Sequence, residues 1–231
     1  VTLGCDWHEL TDARGAEGLE RTPIRAGDVI LGDRNYMRVR GIRAVVADSG
    51  HVLVRMPWNH PRLLNERGRV QSALTLAKRV RVGEVGDWPV LMPGGDGQPI
   101  ASRIVILKLP RPLAKQAVER VKRCAAKKQR KIDARTVEAA KCLMLFTTLP
   151  VDRLDAVGVA DLYRFRWQIE IAFKRHKQLL QLGRLPHKDP LAAESWILSK
   201  LVVALLLETL YRRAIAISPW GYGTDALLPA V

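Results

Sequence analysis

Acid is what this sequence has least of relative to its opposite. Its 231 residues hold 23 Asp and Glu against 38 Lys and Arg, a formal net charge of +15 with a pI near 10.3. A surplus of that size argues against an enzyme of neutral metabolites and fits a polyanionic partner, most simply nucleic acid. Cysteine is also scarce. Cys5, Cys124 and Cys142 are scattered with no CxxC spacing, which excludes a disulfide framework or a cysteine zinc site and leaves ordinary thiols of a reducing compartment. No HExxH, Walker loop or GxSxG is present, so zinc-protease, P-loop and serine-hydrolase chemistry find no support. The five histidines, His8, His51, His60, His176 and His187, form no cluster. Gly94, Gly95 and Gly97 read as a turn, because no helix clearly follows them. The longest strongly apolar run, Leu201 to Leu207, is too short to span a bilayer, meets Glu208, and reads as part of a buried helix. There is no internal repeat or low-complexity tract.

What is present is a core-forming composition, 48% hydrophobic. Residues Val1 to Leu10 favour a strand and Ala16 to Arg21 a short helix. Val29 to Gly32 is a buried strand ending at Asp33, Asn35 to Val46 a helix, and His51 to Met56 another strand. This is an α/β pattern. From Pro57 to Pro110 Gly and Pro become frequent, and Val80 to Val85, Trp88 to Met92 and Ile100 to Leu109 suggest a β-rich insertion. A basic segment follows. Between Arg111 and Arg135 ten cations face only Glu119 and Asp133, a surplus of eight, about half the total. It reads as helical in its first half and as a phosphate-contacting surface rather than a solvated face. Cys142 to Thr148 is a strand, and Leu191 to Ile217 a long apolar helix.

The most informative stretch is Asp161 to Lys177, free of Pro and Gly and predicted to be one helix. With Tyr163 at zero and about 100° per residue, Arg166, Glu170 and Lys177 fall near 300°, 340° and 320°. A tyrosine, a carboxylate and two cations thus share one stripe. Leu162, Phe165, Ile169, Phe173 and Leu180 form an apolar stripe beside it, expected to dock on a core. An amphipathic helix with a solvated Arg166–Glu170 pair is the simpler account. A metal-binding carboxylate among phosphate-binding groups is the sharper one. Asp33, at a strand end where open α/β sheets place reactive groups, is a turn or cap residue on its own; with Glu170 it makes a pair of hard oxygen donors suited to Mg²⁺.

The spacing Tyr163, Arg166, Glu170, Lys177 resembles the YREK signature of DDE transposases of the insertion-sequence-four family. Gly32-Asp33-Arg34-Asn35-Tyr36 resembles that family's DRGY motif, with Asn35 in the glycine position, where its tolerance of positive φ would keep the turn. Glu9 to Ala13 and Thr147 to Pro150 are similar too, so the likeness covers most of the chain. It implies an α/β, ribonuclease-H-like mixed sheet with helices, interrupted by a β-rich insertion. Residues 1–56 would be a partial core carrying the second catalytic Asp, and 57–110 the insertion. Residues 111–217 would hold the basic segment, last core strand, catalytic helix and C-terminal helix, and 218–231 a tail. It implies strand cleavage and strand transfer at transposon ends by a two-metal mechanism with Mg²⁺ (or Mn²⁺). Asp33 and Glu170 would be the catalytic metal ligands, and Tyr163, Arg166, Lys177, Lys174 and Arg34 the DNA contacts. Trp58 and Trp88 are candidates to stack a flipped base. Partners would be double-stranded DNA, at transposon ends and target, and a second copy of the chain in a homodimer on DNA. No membrane is implied; the protein would be cytoplasmic and nucleoid-associated when bound. Asp6 and Asp12 fall where the family has its third strand and following turn, so neither fits the family's first aspartate. The likeness therefore implies a chain incomplete at its N-terminus, inactive alone. A catalytically dead DNA-binding remnant is the alternative.

Overall fold

The computed structural model describes Trp7, residues 18–59, 62–94 and 98–178, Gln181, Leu185 and residues 189–217. The expected first strand, Val1 to Leu10, therefore lies outside the described residues except for Trp7. The chain divides into two compact units. One is Gly15–Arg166; the other is Val1–Arg14 with Trp167–Val231.

The first unit is built on a seven-stranded mixed sheet in the order β1-β2-β7-β6-β5-β3-β4. Its strands are β1 (Val29–Gly32), β2 (His51–Arg55), β3 (Leu63–Leu64), β4 (Val70–Gln71), β5 (Val85–Met92), β6 (Ile100–Lys108) and β7 (Cys142–Thr147). Only β1 and β2 run parallel, with Gly32 opposite Val54; every other neighbour is antiparallel. β1, β2, β6 and β7 form where apolar runs end in Gly, Pro or charge, as read from the sequence. The strands of residues 57–110 bond into this same sheet, with β5 and β6 paired along their whole length.

Alternation along the strands gives the sheet two apolar faces. On one, Val52, Val54, Ile104, Ile106, Met144 and Phe146 are buried with Ile42 and Val45 of α1 (Val39–Ala47) and Leu76 of α2 (Ala73–Ala77). On the other, Leu53, Val105 and Leu145 meet Val159 and Tyr163 of α5 (Ala156–Arg164). Helix α3 (Arg111–Lys127) and α4 (Ala134–Ala140) lie between β6 and β7 in sequence and pack on each other. The second unit contains α7 (Pro190–Ile217) and all of α6 (Arg166–Gln178) beyond its first residue.

Several expectations need correcting. The short helix at Ala16 to Arg21 is a 3-10 turn over Leu19–Arg21, and the helix at Asn35 to Val46 is a 3-10 turn, Arg34–Tyr36, followed by α1. Val80 to Val85 is not a strand. It follows α2, whose cap Ser72 accepts from the Thr75 amide, and β5 begins only at Val85. Helix α3 runs on to Lys127, past the first half of the basic segment. The long apolar helix α7 is not buried: Val202, Leu206, Leu207 and Leu210 are more than half exposed. Its apolar residues surround the axis instead of forming one stripe, so no single face can bury them. By length and composition, Pro190–Leu207 is long and apolar enough to cross a membrane.

Candidate functional site

The first unit assembles a charged site where β1 and β2 end side by side. Gly32 closes β1; a Cβ there would come within 2.8 Å of Val54 Cγ1 and 3.0 Å of Tyr36 Cβ, so glycine lets the following turn fold back tightly. Asp33 caps that turn, its Oδ1 accepting from the Asn35 amide at 2.7 Å. Asn35 does not use a positive φ, which among the described non-glycine residues occurs only at Ser49, Gln129 and Gln181. The turn survives the loss of the motif's glycine because it is a 3-10 turn, which an L-residue adopts without strain.

One residue further along the parallel register from Val54 stands Arg55, which neither composition nor motif singled out. Val52 and Val54 face one core and Leu53 the other, so alternation puts Arg55 on the Leu53 face, where Tyr163 packs. Burial lowers the Arg55 pKa first, and the charges of Arg34, Arg166 and Arg120 push the same way; Tyr163 opposes them. A guanidinium stays protonated throughout this range. The result is a half-buried fixed cation with three other cations around it.

Tyr163 is a core residue, only 7% exposed, rather than an edge residue of an open stripe. The buried face of α5 is Val159, Ala160 and Tyr163, positions i, i+1 and i+4. Burial raises the phenol pKa as the largest influence. The Arg166 and Arg55 charges oppose it and Asp33 adds to it. Arg166 lies with its Cζ 5.7 Å from the Tyr163 ring centroid. Among the described residues the phenol oxygen has no hydrogen-bond partner, and the contact is one of charge with ring. Asp33, Arg34, Arg55, Tyr163 and Arg166 therefore feel one another's charge.

The approach to α5 is fixed by a buried clamp. Arg103 of β6, 7% exposed, donates from Nε to the Leu149 carbonyl at 2.8 Å and from Nη2 to the Leu154 carbonyl at 2.8 Å. Its Nη1 pairs with Asp87 of β5. Asp155 then caps α5 by accepting from the Gly158 amide at 2.7 Å.

The expected single helix is two. α5 ends at Arg164 and α6 begins at Arg166, with Phe165 as the joint. The expected apolar stripe does not dock as a whole: Leu162 packs against the Tyr163 core, but Phe165 and Ile169 are exposed. Phe173 and Leu180 fall outside the described side chains. Glu170 is half-buried on α6, in the second unit. Lys174, also on α6, is exposed with its Nζ 5.8 Å from the Trp167 ring centroid. Lys177 lies on α6, its side chain outside the described residues. Trp58 has Arg135 over its ring at 4.7 Å and donates from Nε1 to Thr136 Oγ1 at 3.2 Å, while Trp88 packs against the larger core.

Among the described residues no three of His, Cys, Asp and Glu gather into a metal-binding cluster. The donor set on offer is oxygen only. Asp33 supplies a carboxylate at the end of β1, a hard oxygen donor of the kind that suits an ion keeping most of its water.

Known proteins give this geometry its context. Residues 11–206 match the transposase DDE domain family. The chain is 33% identical over 222 residues to InsL of insertion sequence element IS186A from Escherichia coli (strain K12), covering 94% of this chain. It is equally similar to the transposase for insertion sequence element IS421 of Escherichia coli. The chain spans 60% of the length of each of these relatives. On the match of most of its length and on this likeness, the chain belongs to the transposase DDE domain family.

Proposed function

We propose that this chain acts in DNA transposition, cleaving and transferring strands at the ends of an insertion sequence, as a member of the YREK-signature group of insertion-sequence-four transposases. The observation that carries this reading is the parallel register that ends in Asp33 and Arg55 side by side, on the sheet face where Tyr163 packs with Arg166 over its ring. A phosphodiester brought there meets cations that offset its charge and a carboxylate at the rim of the site. Arg34 and Arg166 steer the backbone in, and half-buried Arg55 holds a phosphate oxygen where water screens its charge less than at the open surface. Tyr163, buried beneath this site, backs Arg166, whose Cζ lies 5.7 Å from its ring centroid. Lys174 and Lys177, by their places in the motif, are further DNA contacts.

Asp33 and Glu170 are the residues that would hold Mg²⁺ or Mn²⁺. When bound, the ion supplies Lewis-acid activation at the phosphate. The protein would work in the cytoplasm on double-stranded DNA, as a homodimer across paired ends.

Manganese titration of the full chain, followed by the loss of the free-ion paramagnetic resonance signal, tests the assignment. Asp33→Asn and Glu170→Gln should each weaken binding about tenfold, or ~1.4 kcal/mol. Unchanged affinity in Asp33→Asn would sink it. Incubation with supercoiled plasmid and Mg²⁺ then separates activity from grip. Nicking that disappears in Asp33→Asn supports catalysis by this chain, whereas binding without nicking favours a DNA-binding remnant.

A further inference from the structure

We infer that helix α3 is a separate grip for duplex DNA. The helix has 17 residues and none is buried. With Arg111 at zero and about 100° per residue, Arg111, Lys122 and Lys115 fall between about 0° and 40°. Arg123, Lys127 and Arg120 fall between about 120° and 180° by the same reckoning. All six are exposed. The opposite half carries Ala117, Val121, Ala114, Ala125 and Val118, each half-buried, and α3 packs on α4. The helix thus docks by its alanine and valine side and turns every cation outward.

Two further observations separate this from an ordinary solvated helix. A solvated basic helix balances its cations with acids one turn away. Here Glu119 is the one acid on α3, and none of the six cations makes an ion pair or side-chain hydrogen bond among the described residues. Six like charges over about 25 Å of helix repel one another, and a polyanion relieves that repulsion. The second observation is the spacing of the cations. Two rows of cations on a helix about 10 Å wide match the two phosphate strands bordering a major groove about 12 Å across. Lysine and arginine contacts of this kind hold the backbone and read no bases. The choice of DNA as the polyanion rests on the function proposed above; the grip itself rests on α3.

The test uses the full chain and a 30-base-pair duplex of arbitrary sequence. Lys115→Gln, Lys122→Gln and Lys127→Gln are combined in one variant, because Gln keeps helix propensity. Affinity in 0.1 M salt should fall at least tenfold, and the slope of log K against log salt should become shallower by about 2 to 3. The circular dichroism spectrum and manganese binding should stay as in the parent. A second measurement uses Cys124, exposed on α3. A benzophenone maleimide on Cys124, in a Cys5→Ser background with Cys142 buried, should photo-crosslink to the duplex. An unchanged salt slope together with no crosslink overturns the proposal. If that occurs while Arg34→Gln weakens duplex binding, the site proposed above survives and the α3 grip falls. If the triple variant weakens binding while Asp33→Asn leaves manganese affinity intact, the grip stands and the metal assignment falls. Tighter, Gln-sensitive binding to single-stranded RNA or to phosphatidylglycerol vesicles would overturn duplex DNA as the occupant.

Discussion

Helices α5 and α7 treat apolar residues in opposite ways. α5 has nine residues, yet Val159, Ala160 and Tyr163 are all buried against the sheet. α7 has 28 residues and a far more apolar sequence, yet Leu206, Leu207 and Leu210 are more than half exposed. Pattern accounts for the contrast better than content. Of its large apolar groups, α5 gathers Val159, Leu162 and Tyr163 on one side, leaving only Val157 exposed opposite, and the Arg103 clamp fixes the turn that delivers it to the sheet. α7 distributes leucine and valine all around its axis, so any one surface covers only part of them.

The sharpest way to break the comparison is to remove the clamp. Arg103→Ala leaves the largely buried Asp87 carboxylate without its partner and frees two carbonyls. Breaking a buried pair of this kind costs about 3–5 kcal/mol. Urea denaturation should show that loss, and a cost below about 1 kcal/mol would mean that α5 is placed by packing alone.

A subtler effect belongs to Tyr163. Its phenol pKa is raised on folding, first by burial. The folded state therefore holds the proton more tightly, so this stabilisation is complete below the unfolded value of about 10 and is lost as pH rises through the higher folded value. The stability difference between parent and Tyr163→Phe should shift against the parent between pH 8 and about 10.5. Parallel profiles would show that the phenol ionises equally well in both states.

The smallest effect is expected on α7. Leu206→Ala removes a side chain that is 58% exposed and should change stability by no more than about 0.5 kcal/mol. A loss above about 2 kcal/mol would show that α7 is packed in solution after all, and the contrast with α5 would disappear.

The framework of the fold was legible because local pattern decides it. Val29 to Gly32, His51 to Arg55, Ile100 to Lys108 and Cys142 to Thr147 are apolar runs with clear ends, and the sheet contains all four. β3 and β4, two residues each, leave no periodic trace in the sequence. α2 shows no helical period in the sequence, because five residues are too few for one, although Ser72 marks its start. Among the candidate site residues, the spacing of Tyr163, Arg166 and Glu170 is a local signal and could be seen. Arg55 could not. Its importance comes from a parallel register with β1 and from a tyrosine more than a hundred residues downstream, both properties of the folded sheet. The nearest hint was a cation closing an otherwise apolar strand. The buried depth of Tyr163 was likewise hidden, because the stripe drawn on one continuous helix ignored the joint at Phe165.

The place of β7 bears on how the protein folds as it is made. Among the described strands β7 comes last in sequence, yet it sits between β2 and β6 in space. The amide of Val52 finds the Thr148 hydroxyl 96 residues away. Until Thr148 has left the ribosome, β2 and β6 each keep an open edge, and the hairpin β5–β6 cannot join the β1–β2 pair. The closing event is therefore late and of long range, the kind that slows folding and exposes strand edges to other chains. A nascent chain arrested before Cys142 would be the form most dependent on a chaperone.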